Sequence, residues 1–404
     1  MSLIGQDSRE AIVGRFEGHV SSGKAAFFRG VGIDFCFGRR EGVWVWDVDG
    51  GRRLIDCHCN GGVFNLGHRN PRVVAALRRA LDELDIGNHH LVSEHRALLA
   101  ERLAALCPGD LNRVVFGVGG GEAIDLAIKL ARGHTRRSNV LSARGGFHGH
   151  TGLALATGDE EYRGPFEPLS PGFRQVPFGD LAALEAAMDA DTAAVILETI
   201  PATLGIAVPP QDYLAGVRAL CDSWGALMIA DEVQSGLGRC GAAWGIDTYG
   251  LVPDVLVTAK GLSGGIYPIS ATVYREHLNP FLHEHPFIHI STCGGAEVGC
   301  YVALEVLNIL GEPGFLQHVR RMAALFEAGL ARLRQRYPQL LVEVRQRGLM
   351  MGLKLANETC GPLMTLAGLS HGLLTIYANH DKSVSQLLPP LTIEEDEVAQ
   401  VLAS

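Results

Sequence analysis

From about residue 113 to residue 275, short apolar runs alternate with stretches whose apolar residues return every three or four positions. That pattern predicts strand–helix units built around a mostly parallel sheet. Seven runs read as strands: Arg113 to Val118, Asn139 to Ser142, Phe173 to Val176, Ala193 to Glu198, Ala226 to Ala230, Val255 to Thr258 and Ser270 to Tyr274. Helical periodicity between them covers Ala123 to Arg132, Leu181 to Met188 and Tyr213 to Trp224. The flanks differ. Residues 42 to 56 alternate and turn at Asp49-Gly50-Gly51, which predicts a hairpin. After a helical stretch from Val298 to Leu310, residues 315 to 404 hold a long helix, a strand pair around Leu341 to Leu355 and an acidic helix start behind Pro389-Pro390. The predicted fold class is therefore α/β. A large domain over residues 57–297 carries a mostly parallel seven-stranded sheet, and both chain ends, residues 1–56 and 298–404, build a smaller α+β domain.

Composition narrows the function. With 404 residues, 47% hydrophobic and 20% charged, the chain exceeds what one core organises. Its net charge of −9 is spread without a basic stripe, which argues against nucleic acid or an anionic membrane as partner. No run of eighteen apolar residues and no secretory signal pattern is present, so neither membrane spanning nor export is expected. Nine irregularly spaced cysteines predict reduced thiols in a cytoplasmic setting. Cys57-His58-Cys59 has the wrong spacing for a zinc clip and no second Cys/His pair nearby, so no metal is expected.

The candidate chemistry gathers where predicted strands end, the place ligands occupy in open α/β sheets. Lys260 follows the sixth run and precedes Gly261-Leu262-Ser263-Gly264-Gly265, while Asp231 closes the fifth. A lysine able to form a Schiff base and an acid able to keep a pyridine nitrogen protonated are what pyridoxal phosphate needs. Gly119-Gly120-Gly121 sits between a strand and a helix, where backbone N–H groups and the helix dipole favour a phosphate, although a plain tight turn reads the same way. Phe147, set among glycines in Gly145-Gly146-Phe147-His148-Gly149, suits stacking on a flat ring or plugging a loop. His148 is either a ligand-facing or a structural histidine. Glu198, closing the fourth run, is either a site residue or a helix cap.

These residues resemble the class III aminotransferases, the fold type I pyridoxal-phosphate group that includes ornithine, acetylornithine and 4-aminobutyrate aminotransferases. The resemblance covers roughly residues 25 to 400. It is carried most specifically by Asp231-Glu232-Val233-Gln234-Ser235-Gly236-Leu237-Gly238-Arg239 and Thr258-Ala259-Lys260-Gly261-Leu262-Ser263-Gly264-Gly265. It implies that Lys260 is the Schiff-base lysine, Asp231 the partner of the ring nitrogen, Val233 and Phe147 the packing on the two ring faces, and Gln234 the neighbour of the ring hydroxyl. His148 follows Phe147 as in the family. Gly120, Gly121 and Glu122 fall on the phosphate cup. Ser291-Thr292 resembles the segment whose threonine reaches the phosphate of the neighbouring subunit, which implies a homodimer with shared active sites.

The chain also departs from the family. Its cup has glycine where relatives carry hydroxyl residues, leaving backbone N–H groups and Thr292 to hold the phosphate. Gln386 stands where many members have an arginine that clamps a substrate carboxylate, and an amide gives neither the charge nor the bidentate geometry. Either the substrate lacks that carboxylate or another arginine binds it, with Arg144, Arg239 and Arg29 as candidates. After Glu198 the family's Pro-Ile-Gln is altered, which places Glu198 and Gln386 on the substrate side. The implied reaction is ping-pong transfer of an amino group from an amine or amino acid to a keto acid or aldehyde through Lys260. A racemase, epimerase or decarboxylase on the same scaffold is the alternative.

Overall fold

A computed structural model describes residues 7–404. All seven predicted strands lie in one sheet, here numbered β1 (Leu111–Gly117), β2 (Asn139–Ala143), β3 (Phe173–Val176), β4 (Thr192–Glu198), β5 (Leu227–Asp231), β6 (Val255–Thr258) and β7 (Ser270–Arg275). Their spatial order is β1-β7-β6-β5-β4-β2-β3. The neighbours from β6 through β3 pair in parallel, and only β7 runs against both β6 and β1. Central strands β4 and β5 are buried at every position, as their unbroken apolar runs require of a sheet covered on both faces. The covering helices include α1 (Gly120–Thr135), α2 (Tyr213–Trp224) and α3 (Glu297–Leu310).

The chain ends form two further sheets. Strands Phe37–Glu41, Trp44–Asp47 and Arg53–Asp56 form a meander, and Leu373–Leu374 from the far end adds to it in parallel. The other sheet combines Leu341–Arg347, Met350–Leu355, Val384–Leu387 and Ile376–Tyr377. Between them α4 (Phe315–Arg336) contributes Phe326 to a core that also holds Val43, Ile55, Leu353, Leu387 and Ile393, so residues from both ends share one apolar interior. The extra strand at residues 37–41 was not predicted, because Gly38, Arg39 and Arg40 break the apolar alternation. Among the described residues no helix is long and apolar enough to cross a membrane.

Candidate active site

Parallel pairing of β4 with β5 sets Glu198 directly beside Asp231, and Asp231 in turn pairs with Val257 of β6, three residues before Lys260. Register alone thus brings two carboxyls and a lysine to one sheet edge. Asp231 is buried, accepts the Val233 N–H through Oδ1 at 3.0 Å, and meets His148 Nδ1 with Oδ2 at 2.7 Å. Burial alone would push the imidazole pKa down, but the bond and charge of Asp231 reverse this and hold His148 above its ordinary value. The Nε2 of His148 is buried and has no partner.

His148 arrives on the turn after β2. Gly149 in that turn has φ 121, and a Cβ there would lie 2.8 Å from the Gly121 Cα, so the turn and the first residues of α1 touch backbone to backbone. Val118 N–H is taken by the Glu122 carboxylate at 2.7 Å. The glycines at the start of α1 carry N–H groups that the helix itself leaves unpaired.

Lys260 follows β6 in a short 3-10 turn with φ 32, a left-handed conformation that lysine rarely adopts. Its Nζ donates to Gln234 Oε1 at 2.7 Å. Burial lowers its pKa, against the pull of Glu198 and Asp231, which makes the free amine more accessible near neutral pH. Gly61 faces the lysine tip: a Cβ there would sit 3.3 Å from Nζ.

Glu198 is buried and accepts from the Phe147 N–H at 2.9 Å and the Ala202 N–H at 3.4 Å. Burial raises its pKa to about 7, His148 and Lys260 opposing and Asp231 reinforcing the shift. Sequence reasoning missed the part played by Glu232, the residue after Asp231. That carboxylate takes the N–H groups of Gly245 and Ile246, each at 2.7 Å, and the hydroxyls of Ser235 and Thr199, closing the loop behind Gln234. A carboxylate followed three residues later by serine was the available signal, but a local cap gives the same pattern.

Gly120, Gly121, Phe147, His148, Glu198, Asp231, Val233, Gln234 and Lys260 together line a cavity of about 410 Å³. Val63 and Tyr267 also line it, without having been predicted. Thr292 is exposed on a separate loop and does not line the cavity, and neither does Gln386, which is buried in a strand opposite Gly352 and Ile376. Arg239 is no substrate clamp: its side chain is fully buried and donates to Leu349 O, Pro389 O and Asn65 Oδ1. Arg144 is exposed, and exposed Arg29 pairs with Glu17. Cys57 and Cys59 are buried free thiols whose pKa values burial raises.

These residues fit pyridoxal phosphate. An anionic group suits the glycine start of α1, an aromatic nitrogen suits the buried Asp231 carboxylate backed by His148, and an aldehyde suits the Lys260 amine. The comparisons agree. The profile of the aminotransferase class-III family matches residues 29–404. An uncharacterized aminotransferase of Archaeoglobus fulgidus is 59% identical over 398 residues, 98% of this chain and 93% of the relative. A putrescine aminotransferase of Pectobacterium atrosepticum is 39% identical over 363 residues, 87% of this chain and 77% of the relative. A solved structure of the ornithine aminotransferase from Toxoplasma gondii, with PLP at partial occupancy in its active site, superposes with a TM-score of 0.89 at 28% identity, covering 98% of this chain and 92% of that one. With the fold, the cavity and these relatives in agreement, the chain belongs to the class III aminotransferases, pyridoxal-phosphate-dependent enzymes of fold type I.

Proposed function

We propose that the cavity at the carboxyl ends of β1, β2, β4, β5 and β6 is where this aminotransferase moves an amino group from an amine or amino acid to a keto acid or aldehyde. The observation that carries this reading is the meeting of Lys260 Nζ with the buried His148–Asp231 pair in one cavity. Pyridoxal phosphate, when bound, supplies an electron sink for the electrons of the substrate's C–H bond. In this reading Gly120 and Gly121 hold the phosphate through backbone N–H groups, and Asp231, oriented by His148, holds the proton of the ring nitrogen. Val233 and Phe147 flank the ring, and Gln234 stands beside its hydroxyl and positions the lysine. Lys260, with its lowered pKa, takes the proton from the substrate carbon and returns it on the other side of the reaction. Glu198 belongs to the substrate side, whereas Gln386, which does not line the cavity, has no part in this reading.

The same proposal includes a homodimer. Thr292 is exposed beside a cleft lined by Leu91, Val92, Phe287 and Ile290, of which Val92 is 100% and Phe287 67% exposed, an apolar surface suited to a second subunit that would receive Thr292 at its phosphate. The division into a large domain over residues 57–297 and a small one from residues 1–56 and 298–404 follows the three sheets, but Cys300, Ala303 and Leu307 of α3 pack into the core of the seven-stranded sheet, so in this reading α3 belongs to the large domain. Free cysteines, several of them buried, accord with a cytoplasmic location. The test is a half reaction. An amine donor added without acceptor should convert the cofactor's absorbance stoichiometrically, and a keto acid should restore it; solvent deuterium uptake or carbon dioxide release without conversion would instead indicate racemisation or decarboxylation.

A further inference from the structure

We propose that Asp56, clasped by His68, is a positioning residue for Lys260, acting through the left-handed turn from Cys59 to Gly62. This rests on Lys260 being the lysine that takes the cofactor, and it adds the part of the chain that fixes the amine. Neither Asp56 nor His68 lines the cavity, and both side chains are buried.

The turn has a conformation that needs a holder. Cys59, Asn60, Gly61 and Gly62 have φ of 53, 50, 67 and 94 in succession. The two glycines adopt this freely and asparagine tolerates it, but a cysteine there costs about 1–2 kcal/mol. Asp56, the last residue of its strand, supplies the restraint. Its Oδ1 accepts the His58 N–H at 3.0 Å and the Cys59 N–H at 2.7 Å, while Oδ2 meets His68 Nε2 at 2.8 Å. Burial alone would raise the Asp56 pKa, but the His68 bond and the two N–H groups outweigh it and hold the carboxyl below its ordinary value. The group is therefore a charged acceptor at neutral pH. His68 is itself fixed: its backbone exchanges hydrogen bonds with Gly42 at 2.7 and 3.0 Å, and its ring lies 4.1 Å from that of Phe64.

Held this way, the turn forms a wall against the lysine. A Cβ on Gly61 would lie 3.3 Å from Lys260 Nζ and 3.7 Å from Gln234 Oε1, the acceptor of that amine. From the lysine's own turn, a Cβ on Gly261 would lie 2.7 Å from Asn65 Nδ2 and 3.5 Å from Gly62 O. The two turns thus touch through glycine, and a shift of one displaces the amine carried by the other. The titratable groups facing Lys260 are Glu198 and Asp231 from the strand ends, with His58 from the held turn. Because burial is what lowers the Lys260 pKa, releasing the turn admits water and should return that pKa toward its ordinary value.

The test reads Lys260 with and without cofactor. In apoenzyme, pH-dependent acetylation followed by peptide mass mapping gives the pKa of the Lys260 amine, with exposed Lys24 and Lys382 as controls. Stopped-flow absorbance gives the rate at which Lys260 captures pyridoxal phosphate. Calorimetry gives the affinity for deoxypyridoxine phosphate, which lacks the aldehyde and cannot react. Asp56→Ala should raise the Lys260 pKa by about one pH unit and slow capture at least tenfold, with affinity for the unreactive analogue changed less than twofold. Should Asp56→Ala fail to fold, His68→Gln keeps Asp56 and its two N–H bonds, and it is expected to move both quantities in the same directions to a smaller extent. A Lys260 pKa and capture rate unmoved in the folded variant, or a loss of analogue affinity as large as the loss of capture, overturns the proposal and leaves the aminotransferase site intact. Wild-type apoenzyme that binds pyridoxal phosphate without joining it to Lys260 overturns the active-site reading instead, while the acetylation profile still decides on the clasp.

Discussion

Replacing Arg239 with methionine separates a structural arginine from a substrate clamp. The guanidinium donates to Leu349 O at 2.9 Å, Pro389 O at 2.6 Å and Asn65 Oδ1 at 2.7 Å, and all three acceptors belong to buried residues. Leaving them unpaired costs about 1–3 kcal/mol each. Against this, burial lowers the Arg239 pKa, so removing the charge returns part of its desolvation penalty. Three neutral acceptors left open would cost about 3–9 kcal/mol, and the returned desolvation leaves a net loss of about 3–5 kcal/mol. With an unfolding entropy of about 2.1 cal/mol/K per residue, a chain of 404 residues unfolding as one unit would lose about 4–6 °C in melting temperature. Differential scanning calorimetry of the apoenzyme measures this directly. Weaker cofactor binding should accompany the loss, because Asn65, held by Arg239, donates to Leu237 O in the segment that carries Gln234. An unchanged melting temperature joined to a collapse in affinity for carboxylate-bearing donors would refute the reasoning and restore Arg239 as a clamp.

Three other outcomes follow from the same geometry. Gly149→Ala, forcing a Cβ to within 2.8 Å of Gly121 Cα at φ 121, should weaken cofactor affinity by tenfold or more in fluorescence titration, far beyond its effect on melting. Glu232→Gln must turn an amide N–H toward the Gly245 or Ile246 N–H, so it should lower the melting temperature by several degrees at pH 8, where burial no longer keeps the carboxyl protonated, as scanning calorimetry would record. Glu198 is raised from 4.5 to about 7, so the folded state is favoured while the group is protonated, and that contribution is lost as pH rises from about 4.5 through 7. Wild-type apoenzyme should therefore lose up to about 3 kcal/mol more stability than Glu198→Gln between pH 5 and pH 8, measured by melting at each pH; parallel pH profiles would contradict the burial of that carboxyl.

The sheet was legible because its central strands are short apolar runs, β4 and β5 closing on Glu198 and Asp231, and Tyr213–Trp224 was read to its final residue. Helix α1 starts at Gly120, before the predicted Ala123, because glycine's poor helix propensity hides a start whose function is to expose backbone. Leu373–Leu374 completes its sheet through pairing with Ile55 and Asp56, a contact across most of the chain that two residues cannot announce. Lys260, Asp231 and Gln234 could be named from local motifs. The union of His148 with Asp231 could not, since it depends on β2 lying one strand beyond β4 in the sheet. Arg239 read as a possible clamp because a sequence shows the charge and not the three acceptors that consume it.

The central claim is that Lys260 is the covalent anchor of the cofactor. Borohydride reduction of the holoenzyme followed by peptide mass mapping tests it, and the chain offers Lys24, Lys129, Lys354 and Lys382 as internal controls. A phosphopyridoxyl mass on the Lys260 peptide alone, absent in Lys260→Ala, is the predicted result. The same mass on another lysine, or its persistence in Lys260→Ala, would contradict the account.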